Sequence, residues 1–118
     1  MKGKTRNAAL VAIGLLASSV LVSQSVLADQ WSTGFTPTSV HAEDDSGSIL
    51  IYIQASTVIN PAGCGLTDGY AVTDSLLVNE ALATALAGLA SGQQIGVYVS
   101  SSTCASDGRP LAKIVELL

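Results

Sequence analysis

The stretch DSLLVNEALATALAGLASG (74–92) and its continuation QQIGVYVSSSTC (93–104) decide the fold of this chain. In the first, Val78, Leu82, Ala85, Leu86 and Leu89 recur at the spacing of one helix face. Asp74 stands where an N-cap belongs, and Gly92 supplies the residue type that ends helices in a left-handed turn. In the second stretch the period drops to two. Ile95, Val97 and Val99 alternate with Gly96, Tyr98 and Ser100, which predicts a half-buried strand running toward Cys104. Alanines at 81, 83, 85, 87 and 90 keep the helix thin, so that it can lie close to a sheet or to a neighbouring subunit.

Reading backward from the helix, residues 70–73 form a short strand. Residues 48–55 carry Ile49, Leu50, Ile51, Tyr52 and Ile53, a β-branched apolar run that predicts a buried strand. It pairs back through the turn Glu43-Asp44-Asp45-Ser46-Gly47 onto a first strand at 31–40, where Pro37 imposes an edge position or a bulge. Residues 57–69, rich in Gly, Asn, Pro and Asp, make a long connection. Reading forward, Ser106-Asp107-Gly108 is a turn and residues 111–118 are a last, strongly apolar strand. The order β-β-β-α-β-β is the connectivity of an oligonucleotide/oligosaccharide-binding (OB) barrel, five strands with a helix between the third and fourth. Closure of such a barrel removes exposed edges. The alternative is an open antiparallel sheet with the helix packed on one face.

Ahead of this domain, Lys2, Lys4 and Arg6 precede an apolar run from Ala8 to Val22, and Val26-Leu27-Ala28 has the residues a signal peptidase reads. Residues 1–28 are therefore expected to be a cleaved signal peptide and 29–118 a single domain. The apolar run is shorter than the roughly 20 residues needed to cross a bilayer, and no second run follows, so no stable membrane insertion is expected after cleavage. The predicted destination is the periplasm or the exterior. Cleavage removes three of the five basic residues and leaves Arg109 and Lys113 against nine acids, a net charge of −7. Such a domain repels phosphate backbones, so nucleic acid is excluded as a partner.

Cys64 and Cys104 are the only cysteines. In an oxidising compartment an isolated pair is most simply a disulfide. A redox pair has CxxC spacing, and one histidine cannot complete a zinc site, so neither metal nor cofactor is expected. Glu43-Asp44-Asp45 lacks the spaced oxygens of a calcium loop. His41 has no GxSxG nucleophile context to work with, and nothing sets two carboxylates in an apolar cleft, so no enzyme is expected. The candidate ligand-contacting residues are Trp31, Tyr98 and Arg109. Trp31 is first an anchor for its strand and second a stacking platform for a sugar. Tyr98 is an amphipathic tyrosine on a half-exposed sheet. Arg109 pairs with Asp107 or a neighbouring acid, or else with a ligand carboxylate through its planar fork.

Trp31-Ser32-Thr33-Gly34, Asn60-Pro61 with Gly63-Cys64, Tyr70 before the Ala- and Leu-rich helix, Tyr98-Val99-Ser100, Cys104, and Gly108-Arg109-Pro110 before the last strand follow one another along the domain. Together they resemble small secreted proteins of Gram-negative bacteria related to the B subunit of subtilase cytotoxin. The resemblance implies an OB-type barrel stapled by a disulfide and, in the toxins, a ring of five subunits that binds sialylated glycans and delivers a catalytic A subunit. The expected function is that of a non-catalytic binding module for a glycan or protein surface, working as a homo-oligomer. The alternative is an accessory structural protein of the bacterial envelope without glycan binding.

Overall fold

The computed structural model describes residues 28–118, and the predicted signal peptide lies outside them except for Ala28. The elements run β1 (Gln30–Trp31), β2 (Ser39–Asp45), β3 (Ser48–Gln54), β4 (Gly69–Val72), α1 (Val78–Ser91), β5 (Ile95–Cys104) and β6 (Pro110–Leu117). The strands form one sheet in the order β1-β5-β6-β4-β3-β2. All neighbours are antiparallel except β4 and β6, which are parallel and meet at Ala71 and Leu111.

Mainly β with one helix between strands is therefore right, but a closed five-stranded barrel is not what forms. The predicted first strand is broken in two. Buried Pro37 has no N–H to give a ladder, and residues 32–38 leave the sheet apart from a single bridge between Phe35 and Ile95. The broken strand thus supplies both edges of the sheet, β1 at one end and β2 at the other, and the edges do not pair. The result is an open mixed sheet of six strands with the helix on one face.

The β2–β3 hairpin pairs in unbroken register from Ser39↔Gln54 to Asp45↔Ser48. Its turn is tighter than predicted, because only Ser46 and Gly47 are left over, both at positive φ (53° and 92°). That is the turn geometry whose twist matches paired strands. β3 is buried on both faces, which explains its continuous apolar run. Ile51 and Ile53 join Tyr70, Val72, Ile95, Val97 and Val99 under the helix, while Leu50 and Tyr52 form a second cluster with Ala71 and Ala105 on the outer face.

The helix is where the sequence placed it, and its inward face keeps Val78, Ala85 and partly buried Leu82 of the expected stripe. Val78, Ala81, Ala85 and Gly88 are its buried residues, at i, i+3, i+7 and i+10, whereas Leu86 and Leu89 are exposed. Small residues win that face because the backbone rides close to the sheet. A Cβ on Gly88 would stand 2.8 Å from Ile95 Cγ2 and 3.0 Å from the Gln93 carbonyl oxygen. Asp74 does not cap the helix itself. Its carboxylate accepts from Leu76 N and its carbonyl from Leu77 N and Val78 N, which closes the preceding turn. Gly92 ends the helix at φ 72°, as expected.

β6 carries one residue more than β5 opposite it. Tyr98 pairs with Ile114 and Val99 with Ala112, so Lys113 is bulged out of register. Farther along β5, buried Ser100 turns its Oγ back to accept from Ser102 N (3.3 Å) and Thr103 N (3.1 Å), replacing ladder partners lost at the second register shift.

Candidate functional site

The outer face of the sheet holds all three candidate ligand residues but divides them between its two ends. Trp31 and Tyr98 are register partners across β1 and β5, with ring centroids 5.2 Å apart and planes tilted by 47°. Ile114 pairs with Tyr98 on the next strand, and alternation puts all three on the same face. Trp31 and Ile114 remain 45% and 43% exposed, so this end is an open aromatic and aliphatic platform. At its margin Asp29 accepts from Lys113 Nζ (2.8 Å), Ser101 N (2.9 Å) and Ser101 Oγ (3.1 Å). The Lys113 contact and the Ser101 N–H hold the Asp29 carboxyl at about 2, below its usual 3.8, and Asp29 in turn raises Lys113.

Arg109 is at the other end and is already engaged. Its Nε and Nη2 donate to the two oxygens of Asp68 at 2.8 and 3.3 Å, and its Nη1 pairs with Asp107. Its Cζ lies 3.8 Å from the centre of the Tyr52 ring. The Tyr52 hydroxyl donates to Asp68 Oδ2 (3.1 Å), and His41 stacks on the same ring at 5.2 Å with planes 13° apart. Burial, with the bonded Asp68 behind it, raises Tyr52, while the guanidinium bond lowers Asp68. The two carboxylates raise Arg109. The fork that could have met a ligand carboxylate is thus filled from within the chain, and Arg109 acts as a strap over Tyr52.

The predicted disulfide is present. Cys64 and Cys104 are joined with Cα atoms 5.7 Å apart, pinning the 55–68 connection to the end of β5. Asn60 secures the same bend, its Oδ1 accepting from Cys64 N (2.8 Å) and its Nδ2 donating to the Cys64 carbonyl (2.9 Å).

This anchored connection forms one wall of a cleft of about 450 Å³ that the sequence did not disclose. Ser56, Thr57 and Ile59 face the 32–36 segment across it, and Tyr70 lines its floor. The Tyr70 hydroxyl accepts from Ile59 N at 2.9 Å, and its ring lies 5.6 Å from that of Phe35, so floor and both walls are mutually braced. The 32–36 wall is held to β5: Ser32 N donates to the Val97 carbonyl (2.8 Å), Ser32 Oγ accepts from Val97 N (3.0 Å), and Phe35 exchanges two backbone bonds with Ile95. The cleft exists because residues 32–38 stay out of the sheet. The signal that could have found it is the pair of hydroxyl doublets, Ser32-Thr33 just after β1 and Ser56-Thr57 just after the apolar β3.

Among the described residues no three His, Cys, Asp or Glu side chains gather as a metal site, and no helix is long and apolar enough to cross a membrane. Comparison with protein-family models, curated proteins and solved structures found no match.

Proposed function

We propose that the chain is an exported, non-catalytic recognition module that binds a glycan in the cleft between residues 32–36 and 56–59. The observation that carries this reading is the cleft's lining: five hydroxyl side chains around the partly exposed Phe35 ring, with buried Tyr70 bracing it from below, in a volume suited to a short oligosaccharide. Sugars present hydroxyls that both donate and accept, and apolar C–H faces that pack on aromatic rings. The disulfide supports export, since such bonds persist in oxidising compartments. A glycan array probed with the exported protein tests the glycan reading. Reproducible signals that disappear in Ser56→Ala and Thr57→Val variants are expected, and a blank array from folded protein would refute the assignment.

A second reading has its own observation. The Trp31–Tyr98–Ile114 platform on the outer face offers apolar surface for a protein partner or for further copies of the chain. An accessory subunit of an envelope assembly, or a homo-oligomer, would use it. Light scattering that shows a strict monomer at high concentration, together with a pull-down that recovers no specific partner, would remove this reading.

A further inference from the structure

We propose that the cleft selects an uncharged saccharide and discriminates against sialylated or otherwise anionic ones; this specificity rests on the glycan-binding role assigned to the cleft above. Among the described residues, its lining contains no Lys, Arg, His, Asp or Glu. His41 stacks on Tyr52 on the outer face, and the only Lys or Arg side chains of the 29–118 domain are Arg109 and Lys113. Both are spent elsewhere, Arg109 on Asp68 and Asp107 over the outer face, and Lys113 on Asp29 at the β1 margin. A carboxylate entering the cleft would give up hydration without meeting a countercharge, inside a domain of net charge −7.

What the cleft does offer suits a neutral polyol. Ser32 Oγ already accepts from Val97 N at 3.0 Å, which leaves its proton to donate. Thr36 Oγ1 donates to the Gly92 carbonyl at 3.4 Å, which leaves its lone pairs to accept. Thr33, Ser56 and Thr57 present exposed side chains whose hydroxyls can do either. Donors and acceptors are therefore mixed around the rim, the pattern of a sugar's own hydroxyls, with the partly exposed Phe35 ring beneath.

The test uses protein recovered after export of the full chain, and matched probes: galactose-terminated oligosaccharides and the same oligosaccharides capped with sialic acid. The uncapped probes are expected to bind about ten-fold or more tightly than the capped ones, the scale of an uncompensated charge partly exposed to water. Ser56→Ala and Thr57→Val should weaken that binding. Thr33→Lys, which adds a cation at the rim, should narrow the gap between the two probes. Capped probes binding as well as uncapped ones, and still weakened by Ser56→Ala, would overturn the specificity while leaving the cleft as the site. Binding of neither probe by protein with a native circular dichroism spectrum would overturn both. Binding lost in Trp31→Ala but untouched by the cleft variants would also overturn both, by moving the site to the outer platform.

Discussion

The two ends of the outer sheet face begin from the same strand alternation and reach opposite fates. At the β3–β4 end, Leu50, Tyr52 and Ala71 point outward and are nonetheless buried. The 105–109 turn lies over them, tied by Arg109 to Asp68, by the Gly108 carbonyl to Leu66 N (3.0 Å), and by Ser106 to Asp45. At the β1–β5 end, Trp31, Tyr98 and Ile114 point the same way, yet Trp31 and Ile114 stay exposed. Periodicity chooses the side of a sheet for each residue, whereas burial on that side depends on a cover contributed from elsewhere in the chain. Here the cover is held by one cystine and one arginine.

The largest break in this contrast should come from the cystine. Replacing Cys64 and Cys104 with alanine is expected to cost about 4 kcal/mol in chemical denaturation, the chain-entropy value for a loop of this length. Because the same bond anchors the 56–59 wall, probe binding in the cleft should fall with stability. Gly69→Ala is next. A Cβ there would sit 2.3 Å from the Ile53 carbonyl oxygen and 2.6 Å from Tyr52 Cε1, so the ring must lift from the covered end, at about 3 kcal/mol. An unchanged denaturation midpoint would show that Tyr52 is not packed down as described.

Substitutions at the two ends sharpen the comparison directly. Arg109→Met removes the strap but leaves Asp68 half in water, where its charge is solvated, so a loss of about 1–2 kcal/mol is expected. Trp31→Ala at the open end should cost about 1 kcal/mol or less, since much of the ring already faces solvent. A larger loss for Trp31→Ala than for Arg109→Met would reverse the assignment of covered and open ends. The smallest effect concerns acid. Asp29 has its pKa lowered in the fold, so its contribution is complete above the ordinary 3.8 and disappears as pH falls toward and through about 2. Thermal melts of Asp29→Asn should therefore lose part of the wild-type decline across that window and change little in shape near neutrality.

The elements themselves were largely legible. The β3 run, the helix ended by Gly92, the alternation from Ile95 to Val99 and the Cys64–Cys104 pair all follow from local chemistry. What local chemistry does not reveal is closure. Pro37 marked a defect in the first strand, but whether a bulge keeps the barrel together or a break opens it depends on how residues 32–38 pack across the sheet. The inward face of the helix was legible in part for a related reason: Val78, Ala85 and Leu82 do meet the core, but close approach to Ile95 turns Ala81 and Gly88 inward and leaves the larger Leu86 and Leu89 exposed. Of the candidate ligand residues, Trp31 and Tyr98 do come together, and Arg109 was correctly matched with Asp107 as one of its partners. The second partner, Asp68, is 41 positions away, beyond the reach of any local pattern.

An open sheet leaves a border, and the chemistry of that border decides whether other chains can add to it. β2 runs for seven residues and, among the described residues, its outer edge is unpaired, a template on which another extended chain could add. Glu43 and Asp44 lie exposed along it, and the opposite border, β1, is only two residues long. Mutual repulsion at one margin and brevity at the other discourage copies from zipping together into fibrils. Neutralising Glu43 and Asp44 would remove that guard without touching the fold's interior.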